Sequence, residues 1–168
     1  YEETERQTGR RDLWVLPTEQ GGQPVRVTDT PFNEAAGAFA PDGRHIAYES
    51  DESGRQVYVQ EFPTVRSKRL ISNTAIGALP RWRPDGKELF YDAGGPLMAV
   101  DVLDAGPDAL KFGTPHQLFV GLLSLPPHNL DLARDGNRFL VLRQEGRGEP
   151  NTADAIVVVL NFLSGSAQ

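Results

Sequence analysis

Short apolar runs alternate with polar, glycine- and proline-rich stretches along the whole chain. Runs rich in Val, Ile, Leu, Tyr and Phe, bounded by Gly, Pro, Asn or Asp, are the pattern of β-strands. Helical periodicity is weak. The 13 prolines and 17 glycines interrupt every stretch long enough for an average helix. The best helical candidate, Asp104 to Leu110, itself contains Gly106 and Pro107.

The pattern repeats. Three lines align on an Asp-Gly pair: "AFAPDGRHIAY" (Ala38 to Tyr48), "RWRPDGKELFY" (Arg81 to Tyr91) and "DLARDGNRFLV" (Asp131 to Val141). Their glycines are Gly43, Gly86 and Gly136, so the spacings are 43 and 50 residues. A period of about 40–50 residues with several strands per unit predicts propeller blades, not a helical solenoid. Further strands follow each hairpin: "RQVYVQEFP" and "KRLIS" after the first, "PLMAVDVL" and "GTPHQLF" after the second, "DAIVVVLNF" after the third. "DLWVLP" and "PVRVT" at the start read as the two later strands of an earlier blade. Several strands, such as "LMAV" and "IVVVL", are apolar at every position. Such a strand suits a sheet covered on both sides, as stacked blades are.

The fold expected is therefore all-β: a partial propeller of about three four-stranded antiparallel blades within one domain, 1–168. The blade pieces are 12–28, 33–72, 76–119 and 128–162, with 163–168 a flexible tail. Three blades do not close a ring. A six-bladed ring then needs either a second copy or blades upstream.

Composition narrows the function. The net charge is −6, from 17 basic and 23 acidic residues. That leaves no basic face for phosphates and argues against nucleic-acid binding. The Arg66-Ser67-Lys68-Arg69 group reads as a solvated strand edge. There is no cysteine, which excludes disulfides, thiolate catalysis and cysteine-ligated zinc. No apolar run reaches the ~18 residues that span a bilayer, so no membrane insertion is expected of this segment. The chain starts at Tyr1 without a signal-like segment, which reads as an excised piece or a processed product, with any targeting signal outside it.

"FAPDGRHIAYESDESGRQVYVQEFP" resembles the β-propeller repeat of TolB-type proteins, a relative of WD-type repeats. The order "DLWVLP", "AFAPDGRHIAY", "PRWRPDGKELFY", "LMAVDV", "RDGNRFLV" and "IVVVLNF" is similar to the C-terminal propeller of bacterial receptor-like serine/threonine protein kinases. The third copy departs from the pattern, with Arg134 in place of Pro41 and Pro84. That resemblance implies a binding or sensor module, on the periplasmic or extracellular side if its parent is a membrane-anchored kinase and in the cytoplasm otherwise. The kinase signatures themselves, His-Arg-Asp and Asp-Phe-Gly among them, are absent from this sequence.

Candidate chemistry is sparse. Asp42, Asp85 and Asp135 offer carboxylates, but each precedes a glycine that suits the left-handed position of a turn. Asp42, Gly43, Asp85, Gly86, Asp135 and Gly136 are therefore expected to be turn residues. The acids of "ESDESGRQ" (Glu49 to Gln56) lack calcium-loop spacing and read as a solvated loop. His45, His116 and His128 lie on three different repeats without metal-ligand spacing, and His45 is expected to be exposed. Ser164 to Ser166 is no nucleophile elbow. Trp14 and Trp82 read as core residues.

The reading is a non-enzymatic module with no catalytic, cofactor or metal residues. Its partner is expected to be a protein or peptide, met where the innermost strands begin. Glu34, Arg81 and His128 are the contact candidates there. The alternatives are the propeller part of a prolyl-oligopeptidase-like peptidase and a half-propeller that self-assembles as a homodimer.

Overall fold

The computed structural model describes residues 2–4, 9–64, 66–104, 110–120, 130–143 and 155–160; for residues 2–4, 104, 130, 141–143 and 155–160 the backbone alone is described. Every paired strand among them is antiparallel, and no helix occurs among the described residues. The strands form four sheets in chain order. The first holds β1 (Glu2–Thr4), β2 (Arg11–Val15) and β3 (Val25–Arg26). The second is a meander of β4 (Glu34–Phe39), β5 (His45–Ser50), β6 (Gln56–Glu61) and β7 (Lys68–Leu70). The third runs through β8 (Ala78–Trp82), β9 (Glu88–Asp92) and β10 (Leu97–Asp104). The fourth contains β13 (Leu130–Leu132), β14 (Arg138–Arg143) and β15 (Ala155–Leu160).

Two details differ from the strand pattern read in the sequence. The first sheet contains β1, paired with β2 through Glu2↔Leu13. In the third sheet the outer edge of β10 is shared by two short strands, β11 (Lys111–Phe112) and β12 (His116–Phe119). Gly113 turns the chain between them, its N–H donating to Asp101 O at 2.9 Å. Most of the helical candidate at Asp104 to Leu110 lies outside the described residues.

The sheets stack face to face, and the alternation of strand side chains sorts them into three cores. Leu13 and Val27 of the first sheet meet Ile46, Tyr48 and Tyr58 of the second. Ala47, Val57, Val59 and Ile71 of the second meet Trp82, Leu89, Tyr91, Met98 and Val100 of the third. Phe90, Leu97, Ala99 and Leu118 of the third meet Phe139 of the fourth. Adjacent residues of one strand thus enter different cores: Leu89 and Tyr91 face one neighbour, Phe90 the other. Phe90 and Phe139 meet edge to face, with centroids 4.9 Å apart. All five residues of β9 are buried. This is why the middle strands carry no polar alternation.

Outer strands end on hydroxyl caps. Leu13 N donates to Thr28 Oγ1 at 3.0 Å, and Val57 N donates to Ser72 Oγ at 2.9 Å. The caps put Leu13 and Val57, and hence β2 and β6, in equivalent places. The edge strand β7 is exposed throughout, and the Lys68 ammonium lies 4.5 Å from the centroid of the Tyr58 ring.

The three Asp-Gly segments share one geometry. Ala40, Arg83 and Ala133 each donate N–H across the hairpin, to His45 O, Glu88 O and Arg138 O at 2.8 to 2.9 Å. Gly43, Gly86 and Gly136 donate back to Ala40 O, Arg83 O and Ala133 O at 2.8 to 2.9 Å. Asp42, Asp85 and Asp135 accept from the N–H two residues on, at 2.8 to 3.0 Å. The glycines have φ of 67°, 74° and 70°, the left-handed region in which a Cβ is strained. The turns also stack in series. A Cβ on Gly86 would lie 3.9 Å from the Pro41 ring, and one on Gly136 would lie 3.0 Å from Arg83 and 3.4 Å from Pro84.

His45 is not exposed, as the sequence led us to expect, but 4% accessible. Its Nδ1 lies 2.7 Å from Asp42 Oδ2, so the turn carboxylate supplies the polar partner that burial requires. Burial alone would raise the Asp42 carboxyl, but the Arg44 N–H and the contacts with His45 outweigh it and hold it below its ordinary value.

Gly43→Ala meets open space and pays only the backbone strain, so it should destabilise by about 1 kcal/mol in urea melts. Gly136→Ala also collides with Arg83 and should cost more; equal midpoints for the two variants would contradict the stacked arrangement. A carboxyl held low in the folded state contributes stability above its unfolded pKa of about 3.9 and loses it as pH falls through the folded value. Thermal melts from pH 5 down to pH 2 should therefore fall less steeply for Asp42→Asn than for the wild type.

Candidate functional site

The innermost strands β4 and β8 start with the same irregularity. In β4 the register runs from Ala35↔Glu49 to Ala38↔Ala47, and in β8 from Ala78↔Asp92 to Arg81↔Phe90. Within each bulge one residue has a left-handed backbone: Ala36 at φ 53° and Leu79 at φ 51°. Both stand seven positions before their turn glycine (36 to 43, 79 to 86). Neither is a glycine, so each conformation costs about 1–2 kcal/mol and needs support from its surroundings. The corresponding position of the third copy, Asn129, lies outside the described residues.

Glu49 supplies the support at Leu79. It sits near the end of β5 and is 6% exposed. Its Oε1 accepts from Leu79 N at 2.7 Å and its Oε2 from Arg55 Nε at 2.7 Å. A carboxylate of the second sheet therefore pins the bulge of the third. The acids of Glu49 to Gln56 were expected to be solvated together; Glu49 is not, because strand β5 carries it between two sheets. One signal marks it in the sequence. An acid recurs six positions after the turn glycine, at Glu49 and Asp92 (43 to 49, 86 to 92). Asp92 is also buried, and its Oδ1 accepts from Gly94 N and Gly95 N at 2.8 and 3.0 Å.

Glu34 opens β4 and has no exposed surface. Its Oε1 accepts from Thr30 Oγ1 at 2.6 Å and Ser50 Oγ at 3.2 Å. Its Oε2 is buried and makes no hydrogen bond among the described residues. The loop above it is tied down by Asn33, which donates from N and Nδ2 to Asp51 at 2.8 and 2.7 Å. Those bonds hold the Asp51 carboxyl below its ordinary value. Burial pushes the Tyr48 hydroxyl well above its ordinary value, with the Glu34 and Glu52 charges adding to the effect. It stays protonated and donates to Gln60 Oε1 at 2.8 Å.

Arg81 is half-buried on β8, and its guanidinium donates to Pro80 O at 2.9 Å. It makes no ion pair among the described residues. Glu34 and Arg81 lie on adjacent inner strands, and no hydrogen bond joins them among the described residues. His128 lies outside the described residues. Trp82 is buried in the blade core, its Nε1 donating to Ala38 O of the preceding sheet at 3.1 Å. Trp14 is half-buried, with the Arg26 guanidinium 5.9 Å from its ring centroid. His116 is exposed on β12. Among the described residues no three ligating side chains converge on a metal position. No helix among them is long and apolar enough to cross a membrane. The Asp42–His45 pair has the form of an orienting dyad, but His45 Nε2 meets no hydroxyl among the described residues.

The stacked antiparallel sheets, inner-strand bulges and serial turns define a run of β-propeller blades. No protein-family model matches the sequence. The Tol-Pal system protein TolB of Francisella tularensis is 36% identical over 66 residues, which are 39% of this chain and 15% of that protein. The crystal structure of TolB from Acinetobacter baumannii matches 94% of this chain and 37% of that one, with a TM-score of 0.61 and 20% identity. A putative 6-phosphogluconolactonase from Bacteroides uniformis matches 90% of this chain and 48% of that one, with a TM-score of 0.54 and 13% identity. These structural likenesses are likenesses of fold. The chain matches well under two thirds of the length of each of these relatives.

Glu49→Ala should strip Leu79 N and Arg55 of their acceptor and destabilise by about 1–3 kcal/mol, the cost of leaving buried donors unpaired. Glu49→Gln keeps one acceptor and should lose less. Urea titrations that rank the two variants in the opposite order would rule out the clamp.

Proposed function

We propose that this chain is a non-catalytic propeller module that binds a protein or peptide segment at the face where its inner strands begin. The bulge shared by β4 and β8 carries the reading. Two strained, non-glycine backbones recur at one level of the repeat, and a buried carboxylate holds one of them. Holding such strain costs stability, and strained backbones cluster at sites that bind or clamp a partner. Arg81 is the direct contact, because its guanidinium has no ion-pair partner among the described residues. Glu34 acts from below by holding the Thr30 to Asn33 loop, and His128 is the third contact. The relatives named as Tol-Pal system proteins support a protein partner by analogy of fold.

The repeat order similar to that of receptor-like kinases leads to a finer proposal: the module is the sensing part of a kinase-linked protein. A propeller working as part of a peptidase is the reading least favoured, since no nucleophile stands beside the Asp42–His45 pair among the described residues.

A selection of displayed peptides against the immobilised chain tests the site. Enriched peptides should lose at least tenfold in affinity for Arg81→Glu and keep it for the exposed control Lys87→Glu. Equal losses in both variants, or turnover of peptide esters by the chain alone, would overturn the reading.

A further inference from the structure

The joins between neighbouring sheets are built on the same positions, and two of them can be compared residue by residue. Val27 N donates to Leu13 O at 2.8 Å as Ile71 N donates to Val57 O at 2.9 Å. Together with the Thr28 and Ser72 caps, this puts residues 26–30 beside the second sheet where residues 70–74 stand beside the third. On the facing walls, Tyr48 and Tyr91 each follow their turn glycine by five positions (43 to 48, 86 to 91). Gln60 pairs with Ile46 as Val100 pairs with Leu89.

The chemistry at these positions differs between the joins. Between the second and third sheets, Val100 and Leu110 belong to an apolar core, and Tyr91 donates its hydroxyl to Asn73 Oδ1 at 3.4 Å. Between the first and second, Gln60 stands in place of the valine. Tyr48 donates to Gln60 Oε1 at 2.8 Å, and Gln60 Nε2 donates across the join to Val27 O at 2.9 Å. Asp29 occupies the place of Asn73 but pairs with Arg26 Nη1 at 2.8 Å, its side chain 81% exposed. A cavity of about 450 Å³ is left at this join, lined by Val27, Thr28, Thr30, Tyr48, Gln60 and Lys68, with Arg26 and Asp29 completing its wall. That volume is in the range of small-molecule sites. The first-sheet wall is β3 and the residues after it, on the other side of β2 from β1.

We propose that this cavity binds a neutral polyhydroxy compound of hexose size. Val27, Tyr48 and the Lys68 stem offer apolar surface, which suits the C–H face of a sugar ring. Polar groups with spare hydrogens surround it. Thr28 Oγ1 accepts from Leu13 N, so its own hydrogen is left to donate. The Gln60 amide has a second N–H beyond the one given to Val27 O, and the Lys68 ammonium has two beyond the one given to Glu52. Both cations already carry carboxylates: Arg26 pairs with Asp12 and Asp29, and Lys68 with Glu52. A charged ligand has to compete with those pairs. Hydroxyl groups donate and accept, and so bond to paired groups without breaking them. This cavity is separate from the inner-strand face and does not depend on the function proposed there.

D-Glucose, D-galactose and D-mannose, titrated into the full chain and followed by amide chemical shifts, test the site, with D-gluconate as the charged counterpart. One of the hexoses should saturate, with shifts grouped at Val27, Thr28, Gln60 and Lys68, and D-gluconate should bind at least tenfold more weakly. Gln60→Val copies the closed join and should abolish binding. Lys68 lies on the exposed edge strand, so Lys68→Met leaves the core intact however the Gln60 variant folds. It should weaken binding at least tenfold, while Lys111→Met on β11 leaves binding unchanged. The methyl glycoside of the bound hexose separates the two sources of such a ligand: binding kept assigns the end of a glycan chain, and binding lost assigns a free sugar. No saturation by any of the three hexoses at tens of millimolar, D-gluconate bound as tightly as the hexose, or equal losses in the two lysine variants would refute the proposal.

Discussion

A β-sheet whose strands are apolar on both faces has to be covered on both. That requirement organises this protein. β5 sends Ile46 and Tyr48 one way and Ala47 the other; β9 does the same with Phe90 against Leu89 and Tyr91. Each core is built jointly by two sheets, so no sheet has a hydrophobic interior of its own. The meander within a blade fixes the register, but the contact between blades supplies the burial. Trp82 shows the tightness of the join: its ring packs in the second core while its N–H reaches a carbonyl of the neighbouring sheet.

The elements legible in the sequence were those written in local chemistry. Asp-Gly turns need a capping acid and a residue tolerant of positive φ, and both needs are met within four residues. Strands covered on both sides lose their polar alternation, which is visible without knowing the neighbour. What escaped notice depends on distant residues. His45 follows a turn and has the sequence context of an exposed side chain, yet Asp42 lets it be buried. Glu49 belongs to an acidic stretch whose other members are solvated; the recurrence of an acid at Asp92 marks its position, but its acceptor role toward Leu79, thirty residues on, is not written locally. The division of β10's partner into β11 and β12 turns on Gly113, whose N–H finds Asp101 across the sheet.

At the inner strands the sequence offered candidate residues but no backbone geometry. Glu34 and Arg81 were both expected where the inner strands begin; Glu34 is the first residue of β4, whereas Arg81 is the fourth of five in β8, nearer its end than its start. The sequence offered no sign that Ala36 and Leu79 would be left-handed, because alanine and leucine rarely are. That conformation follows from the bulges. The bulge in β8 is in turn held by a carboxylate from the preceding sheet. The shape of the face is thus tied to the packing between blades: displacing one sheet against the next moves the group that holds the bulge.

The serial turns carry a consequence of their own. Each turn rests on the one before it, so the free energy of a repeat contains a term owned by its neighbour. A chain of such units behaves as a one-dimensional array in which nearest-neighbour coupling transmits order from unit to unit. A repeat flanked on both sides gains that coupling twice. In the third turn Arg134 stands where Pro41 and Pro84 stand in the first two, so that turn offers a charged chain in place of the ring on which Gly86 and Gly136 rest.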